Sequence, residues 1–286
     1  MYTKRFAVAG AAVWVWASFG TVCAQERYDA AGPALAAPAV QASPLSMRST
    51  PHAYLDPRDV AFAHIAVGGV WRTSFFIVNM SSNTIPYTIS YYDDNGNPMA
   101  VPVLMSDGAY QRVATANYTI RPFGENNYDL WNSSSSLQAG QAILSYDHTL
   151  GQLGGFSVFQ EAAPGQPIYE ATVALSGSDW KLYLPYYHYD GYTSGVAISN
   201  PSLVYSTNVT LTAVDNSGNS LLTDTIYLPP GGHYAFSVTD RYPQLNNRRG
   251  NLYLESSSQR LAAVGLRFAP GGSYTTIPIM NWTGMF

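Results

Sequence analysis

Two acidic loops of the sequence contain the residue types that calcium prefers as ligands. Residues 91–99 read YYDDNGNPM, and residues 213–221 read AVDNSGNSL. Carboxylate and amide oxygens bind Ca²⁺ in many proteins, which makes Asp93, Asp94 and Asp215 candidate ligands. The same residue types are also typical of a hairpin turn, in which they bind no ion.

The spacing of both loops departs from the EF-hand calcium loop, which needs glycine at its sixth position. That position is Pro98 counted from Asp93 and Ser220 counted from Asp215. The hairpin interpretation is therefore favoured, and calcium bound in another arrangement is the alternative. In a hairpin the aspartate caps the turn amides and the glycine adopts positive φ. The predicted turn residues are Asp93, Gly96, Asn97, Asp215, Gly218 and Asn219.

A tyrosine-rich stretch, LYLPYYHYDGY at residues 182–192, could bind a carbohydrate. Aromatic side chains have apolar faces and, in tyrosine, a polar tip, which suits them to stack on sugar rings. The candidate binding residues are Tyr186, Tyr187, His188, Tyr189, Asp190 and Tyr192. The structural alternative, which is favoured, is a strand that places alternate tyrosines in the core.

Groups that could perform catalysis are few. The five histidines are scattered, without the HExxH spacing that binds zinc, and no G-x-S-x-G nucleophile motif occurs. Glu161 and Glu170 lie close in sequence and could form the carboxylate pair of a glycoside hydrolase. Loop carboxylates are usually solvated, so we predict no catalytic residues, no cofactor and no enzymatic activity.

The elements that carry these loops are predicted to be β-strands. Charged residues make up 11% of the chain, against about 25% in ordinary domains. Tyr, Thr, Val, Ser, Asn and Gly are frequent in the sequence, and they favour half-buried strands joined by tight turns. From about residue 58 onward, turn signals recur and apolar residues alternate. The fold class is therefore predicted to be all-β.

The sequence also contains an internal repeat. VWRTSFFIVNMSS (70–82) aligns with GYTSGVAISNPSL (191–203), which places Asn79 over Asn200. The same order continues in the pairs 119–130 and 227–238, 140–147 and 250–257, and 155–159 and 265–269. We predict two tandem immunoglobulin-like β-sandwich domains, at 58–178 and 179–286, the second an internal repeat of the first.

The repeated motifs resemble an uncharacterised tandem β-sandwich module of secreted bacterial proteins. The resemblance is carried by WRTS and YTSG, by Asn79 and Asn200 at strand ends, and by DDNGNP, LPPGGH and GLRF. It extends over nearly the whole chain after the leader. It implies an extracellular location and a β-sandwich fold, and it implies no activity.

The amino-terminal residues predict export. Lys4 and Arg5 precede an apolar run that ends at Val22, and together they form a signal peptide over residues 1–24. Cleavage after Ala24 is favoured over lipidation of Cys23, because the branched Val22 precedes the cysteine. Residues 25–57 are rich in Ala and Pro and are predicted to form a disordered leader.

Charge and cysteine content restrict the partners. Removal of the signal peptide leaves 12 basic and 18 acidic residues, a net charge of −6, and no cysteine. Nucleic acid and anionic membranes are therefore poor partners, and no membrane span is expected in the mature chain. We predict a periplasmic, cell-surface or extracellular module with a structural or adhesion role, whose partner is a polysaccharide or another surface protein. The alternative is a carbohydrate-binding protein that uses exposed tyrosines of the second domain or, less favoured, a glycoside hydrolase.

Overall fold

A computed structural model describes residues 60–104, 108–131, 136–175 and 179–281. The predicted signal peptide and leader lie outside these residues. Almost all regular structure in them is β-strand, arranged in four antiparallel sheets, which confirms the all-β class and is consistent with two β-sandwiches. None of the helices in the described ranges is long and apolar enough to cross a membrane.

Two sheets are formed by the first ten strands, and together they are called the first sheet pair. The strands are β1 (Val60–Val67), β2 (Trp71–Asn79), β3 (Ile85–Tyr92), β4 (Val101–Leu104), β5 (Tyr110–Val113), β6 (Thr115–Ile120), β7 (Glu125–Leu130), β8 (Gln138–Tyr146), β9 (Leu153–Glu161) and β10 (Tyr169–Ala174). One sheet has the order β1-β8-β3-β6, and the other has the order β10-β9-β2-β7-β4-β5.

The remaining strands form the second sheet pair. They are β11 (Lys181–Tyr187), β12 (Thr193–Ser199), β13 (Thr207–Asp215), β14 (Ser220–Leu228), β15 (His233–Ser237), β16 (Arg249–Ser256), β17 (Ala262–Phe268), β18 (Tyr274–Ile277) and β19 (Met280–Asn281). The sheet orders are β14-β13-β16-β11-β19 and β15-β12-β17-β18. A four-residue helix α1 (Val238–Arg241) and a 3-10 turn (Pro243–Leu245) follow β15.

Alternation of apolar side chains produces the core of each pair. In β3, Ile85, Tyr87, Ile89 and Tyr91 are buried, and the residues between them are more exposed. In β13 the same period buries Val209, Leu211 and Ala213. Successive strand residues point to opposite faces of the sheet, so each alternating set forms one wall of a core. Two large clusters of buried side chains fill the two sheet pairs.

The two pairs share one strand order. In the first sheet of each pair, the order β1-β8-β3-β6 corresponds to β11-β16-β13-β14. In the second sheet, the order β10-β9-β2-β7 corresponds to β18-β17-β12-β15. The first pair adds β4 and β5 at one edge, and the second adds β19. The two sheet pairs therefore have the same topology and differ only in the strands added at their edges.

Two asparagines at matching strand ends make matching hydrogen bonds. Asn79 donates through Nδ2 to the carbonyl of Arg121 at 3.0 Å, and its Oδ1 accepts from the amide of Ser81. Asn200 donates to the carbonyl of Pro229 at 3.0 Å and accepts from the amide of Ser202. Both side chains are buried and satisfy loop backbone groups that the sheet does not pair.

The two sheet pairs meet in a buried apolar interface, called the junction. Strand β1 is buried on both faces. One face places Phe62 in the core of the first sheet pair, and the other places Ala61 and Ala63 in the apolar cluster shared with the second pair. Small side chains let the two backbones approach closely. The junction cluster contains Ala61, Ala63, Ala66, Trp71, Phe159, Ala171 and Val173 from the first pair and Ala197, Ala262, Val264, Leu266 and Tyr274 from the second.

Hydrogen bonds across the junction add directional contacts to this apolar surface. Gln141 of β8 is fully buried, and its Nε2 donates to the carbonyl of Gly231 at 2.7 Å and to the carbonyl of Asn200 at 3.0 Å. The Tyr274 hydroxyl donates to the carbonyl of Tyr169 at 3.1 Å. Buried polar groups that lose such partners cost about 1–3 kcal/mol each, so these bonds favour one relative placement of the two pairs.

Candidate functional site

The first acidic turn is closed by its own side chains. Oδ1 of Asp93 accepts from the backbone amides of Asn95 and Asn97, both at 2.9 Å, and its Oδ2 accepts from the Asn97 side chain. Gly96 has φ of 79°, a conformation that costs glycine nothing. The carboxylate oxygens are therefore occupied by donors of the turn itself.

The second turn repeats this geometry. Asp215 accepts from the amides of Ser217 at 2.8 Å and Asn219 at 2.9 Å, and Gly218 has φ of 83°. Hydrogen bonds from the side chain and backbone of Asn219 lower the pKa of Asp215. In the part of the chain that the structure describes, no three His, Cys, Asp or Glu side chains come together as a metal site. Both turns are built as capped hairpins.

The surroundings of the two turns differ. Gly218 has open space around it, whereas Gly96 packs against the backbone of Pro230 in the second sheet pair. Asn95 forms an isolated bridge with Gly232, and the amide of His233 donates to the carbonyl of Asp94 at 3.2 Å. The first turn is therefore a docking element of the junction, which its sequence motif did not predict.

A chain of three titratable side chains crosses the junction beside this turn. Nδ1 of His233 lies 2.7 Å from Oδ1 of Asp94, and Nε2 of His233 lies 3.0 Å from Nδ1 of His64. Because the carboxylate can only accept, His233 donates to Asp94, and one proton is shared between His64 Nδ1 and His233 Nε2. The rings of the two histidines stack with centroids 5.0 Å apart.

Burial of this chain determines its electrostatics. His64 and His233 are almost fully buried, and the edge of the Phe159 ring packs on His64. Burial, and to a smaller extent the His233 ring, lower the pKa of His64 to about 3. A proton added to His64 would place a poorly solvated charge inside the junction. The chain therefore fastens the two sheet pairs while His64 is neutral.

The candidate sugar-binding residues separate into buried and exposed groups. Tyr186 lies in the second core, and its hydroxyl donates to the carbonyl of Val214 at 3.1 Å. His188 is buried, and its Nδ1 lies 3.1 Å from the carbonyl of Leu245. Burial lowers the pKa of His188. Both side chains support the loop from within and do not present a surface to a ligand.

The other tyrosines of the stretch form a group called the tyrosine patch, in which Tyr189 is exposed and Tyr187 and Tyr192 are partly exposed. The ring of Tyr187 has its centroid 5.3 Å from that of Tyr189 and 6.2 Å from that of Tyr192. Asp190 between them adopts φ of 55° and accepts a long hydrogen bond of 3.4 Å from the Tyr187 hydroxyl. The turn thus brings three rings and one carboxylate to the same end of the second sheet pair.

An arginine that the sequence analysis did not select completes the patch. The guanidinium carbon of Arg267 lies 3.8 Å from the centroid of the Tyr192 ring and 5.7 Å from that of Tyr187. Arg267 is near the end of β17, and the pairing of Thr193 with Phe268 brings that end beside the patch. Its position in the motif GLRF carries no signal for binding, so only the sheet pairing reveals it.

A second aromatic surface lies on the outer face of the six-stranded sheet. It comprises Phe76, Phe156, Tyr110, Trp131, Arg72 and Asp129. The phenylalanine rings stack at 4.8 Å, and the tyrosine and tryptophan rings are 5.9 Å apart. The arginine and the aspartate form an ion pair between the two ring pairs. This surface was also missed, because its members alternate with core residues in β2, β7 and β9.

The two glutamates considered for hydrolysis lie on opposite faces of one sheet. Glu170 accepts a hydrogen bond from Gln160, whose neighbours Phe159 and Glu161 point to the other face. Burial raises the pKa of Glu161. A glycoside hydrolase needs two carboxyl groups that converge on one bond, and this pair does not converge.

The described residues define an all-β protein of four antiparallel sheets, with a partly exposed group of three tyrosines and one arginine at one end. Comparison with protein-family models, with curated proteins and with solved structures finds no match.

Proposed function

We propose that the protein is an exported, non-enzymatic binding module that acts in the periplasm, at the cell surface or outside the cell. It consists of two immunoglobulin-like sandwiches that arose by internal duplication, like the tandem modules of secreted bacterial proteins that its motifs resemble. Its role is structural or adhesive. The observation that carries this proposal is a partly exposed cluster of three tyrosine rings at one end of sheet pairs that a buried junction holds together.

The partner that suits this surface best is a polysaccharide. Tyrosine rings offer flat apolar faces for the C–H face of a sugar and hydroxyl groups for its oxygens. The rings are preorganised, because Tyr187 contacts both other rings and Tyr192 is covered on one side by Arg267. Preorganisation lowers the entropic cost of binding. Another surface protein is the alternative partner, and it would pair with an exposed sheet edge such as β14.

The proposal predicts that loss of two patch tyrosines weakens glycan binding. On a glycan array, the wild-type protein is expected to give a specific signal. The double variant Tyr187→Ala, Tyr189→Ala is expected to bind at least about tenfold more weakly, since aromatic contacts contribute about 0.5–1.5 kcal/mol each beyond the buried area. Both side chains lie outside the cores, so the melting temperature should change little.

Tyr227→Ala provides the matched control. Tyr227 is 61% exposed on β14 and belongs to neither core, so its loss should leave both the melting temperature and the glycan signal unchanged. A wild-type protein that binds no glycan on the array would refute the carbohydrate proposal. Release of reducing sugar from a bound glycan would refute the proposal that the protein is not an enzyme.

A further inference from the structure

Two arginines of the second sheet pair rest on tyrosine rings, and they differ in one respect. Arg241 lies over the rings of Tyr234 and Tyr242, at 5.2 and 5.4 Å. It also donates to Asp224 at 2.8 Å and to the Tyr234 hydroxyl at 2.6 Å. Its charge is therefore balanced by a carboxylate of the same chain. Arg241 belongs to the structure of the fold.

Arg267 also packs on two tyrosine rings, but no described carboxylate forms an ion pair with it. Its guanidinium lies against Tyr192 at 3.8 Å, but it makes no hydrogen bond or ion pair with any described residue. The residue is only partly buried. A guanidinium that is held in place by two rings, with all its donors free, is prepared for an acceptor that the chain does not supply.

The charges around the patch favour an anionic ligand. Arg249 is exposed and lies opposite Tyr187 in the backbone register of β11 and β16. Arg248 is nearby and lies close enough to Asp215 to affect its pKa. The second carboxylate at this end, Asp190, accepts from the Tyr187 hydroxyl. Neither Arg267 nor Arg249 forms an ion pair with a described residue, so three arginines stand beside two carboxylates at this end of a chain whose predicted mature net charge is −6.

We infer that the tyrosine patch binds a polysaccharide that contains uronic acid residues, and that Arg267 is the residue that recognises the carboxylate. This inference rests on the proposed carbohydrate-binding function. The planar guanidinium donates two parallel hydrogen bonds to a carboxylate, while Tyr187 and Tyr189 provide faces for the sugar rings. Because the protein as a whole is acidic, the attraction is local to the patch and not a general affinity for polyanions.

The test compares three oligosaccharides at physiological ionic strength by calorimetry with the full mature chain. They are an oligouronate, the same oligouronate with its carboxyl groups methyl-esterified, and a sulfated neutral oligosaccharide. Wild type is expected to bind the free oligouronate most tightly. Arg267→Gln should weaken that binding by about 10- to 100-fold, because a charge-assisted bidentate contact is lost. Arg267→Lys should restore part of the affinity.

Arg121→Gln is the control, since it removes one exposed arginine in the first sheet pair. It should bind the oligouronate as wild type does, and the melting temperatures of both Gln variants should match. Equal binding of the free and esterified oligouronates, unchanged by Arg267→Gln, would overturn the inference and leave the carbohydrate proposal standing. Preference for the sulfated sugar would overturn the assignment to carboxylate. Absence of binding to all three would refute the inference, and the glycan array decides the proposed function separately.

Discussion

Replacing Gly96 by alanine is expected to disrupt the junction, whereas the same change at Gly218 leaves it intact. Both glycines have positive φ, 79° and 83°, so alanine introduces similar backbone strain at the two positions. A Cβ at position 96 would lie 1.8 Å from the carbonyl oxygen of Pro230, while a Cβ at position 218 would meet nothing within 4 Å. The difference between the two variants therefore measures the contact across the junction.

The expected sizes follow from strain and overpacking. Gly218→Ala should lower the free energy of unfolding by about 1–2 kcal/mol, the cost of the left-handed conformation. Gly96→Ala should lower it by about 3–5 kcal/mol, because backbone atoms of the partner turn must move as well. Urea unfolding gives both values, and limited proteolysis should cleave between the sheet pairs only in Gly96→Ala. Equal effects of the two substitutions would contradict the described docking of the first turn.

Acidification is expected to weaken the junction through His64. The pKa of His64 is lowered from its ordinary value of 6.5 to about 3 while the junction is closed. An opened junction exposes the ring, which then takes up a proton near pH 6.5. Stability is therefore complete above pH 6.5 and is lost as the pH falls towards 3. The full loss corresponds to at most about 5 kcal/mol.

The comparison of wild type with His64→Gln isolates this contribution. Glutamine can hydrogen-bond with His233 and does not titrate, so the variant should lose less stability than wild type between pH 6.5 and 4. Carboxylates elsewhere titrate equally in both proteins and cancel in the difference. Urea unfolding at several pH values measures both slopes. Parallel slopes would show that the neutral state of His64 is not what the junction requires.

Local sequence patterns predict the strands of this protein but not how the sheet pairs meet. The alternation of apolar residues in β3 and β13 coincides with the buried residues, since each strand has one buried face. In β1 the alternation is lost, because a register shift falls between Phe62 and Ile65 and both faces are buried. A strand covered on both sides has no polar face for the pattern to reveal.

The chain of three titratable side chains across the junction could not be derived from the spacing of these residues in the sequence. His64 and His233 are separated by 169 residues and Asp94 and His233 by 139, and each residue alone is unremarkable in sequence. The repeated turn motif identified Gly96 and Gly218 as equivalent, but their surroundings depend on the packing of the whole molecule.

For the candidate binding site, the sequence selected a segment whose residues the structure divides between the core and the surface. Leu182, Leu184 and Tyr186 alternate on the inner face of β11, so the burial of Tyr186 follows from the same period that defines the strand. Arg267 lies 75 positions beyond Tyr192 in the chain, and only the pairing of β12 with β17 brings them together.

An NMR titration of residues 25–286, with an oligosaccharide that binds on the glycan array, examines whether the tyrosine patch is the ligand-binding surface. We expect saturable shifts of the Tyr187, Tyr189 and Tyr192 ring signals and of the Arg267 guanidinium. Shifts confined to Tyr110 and Trp131 would instead place binding on the outer face of the six-stranded sheet and refute the proposed site.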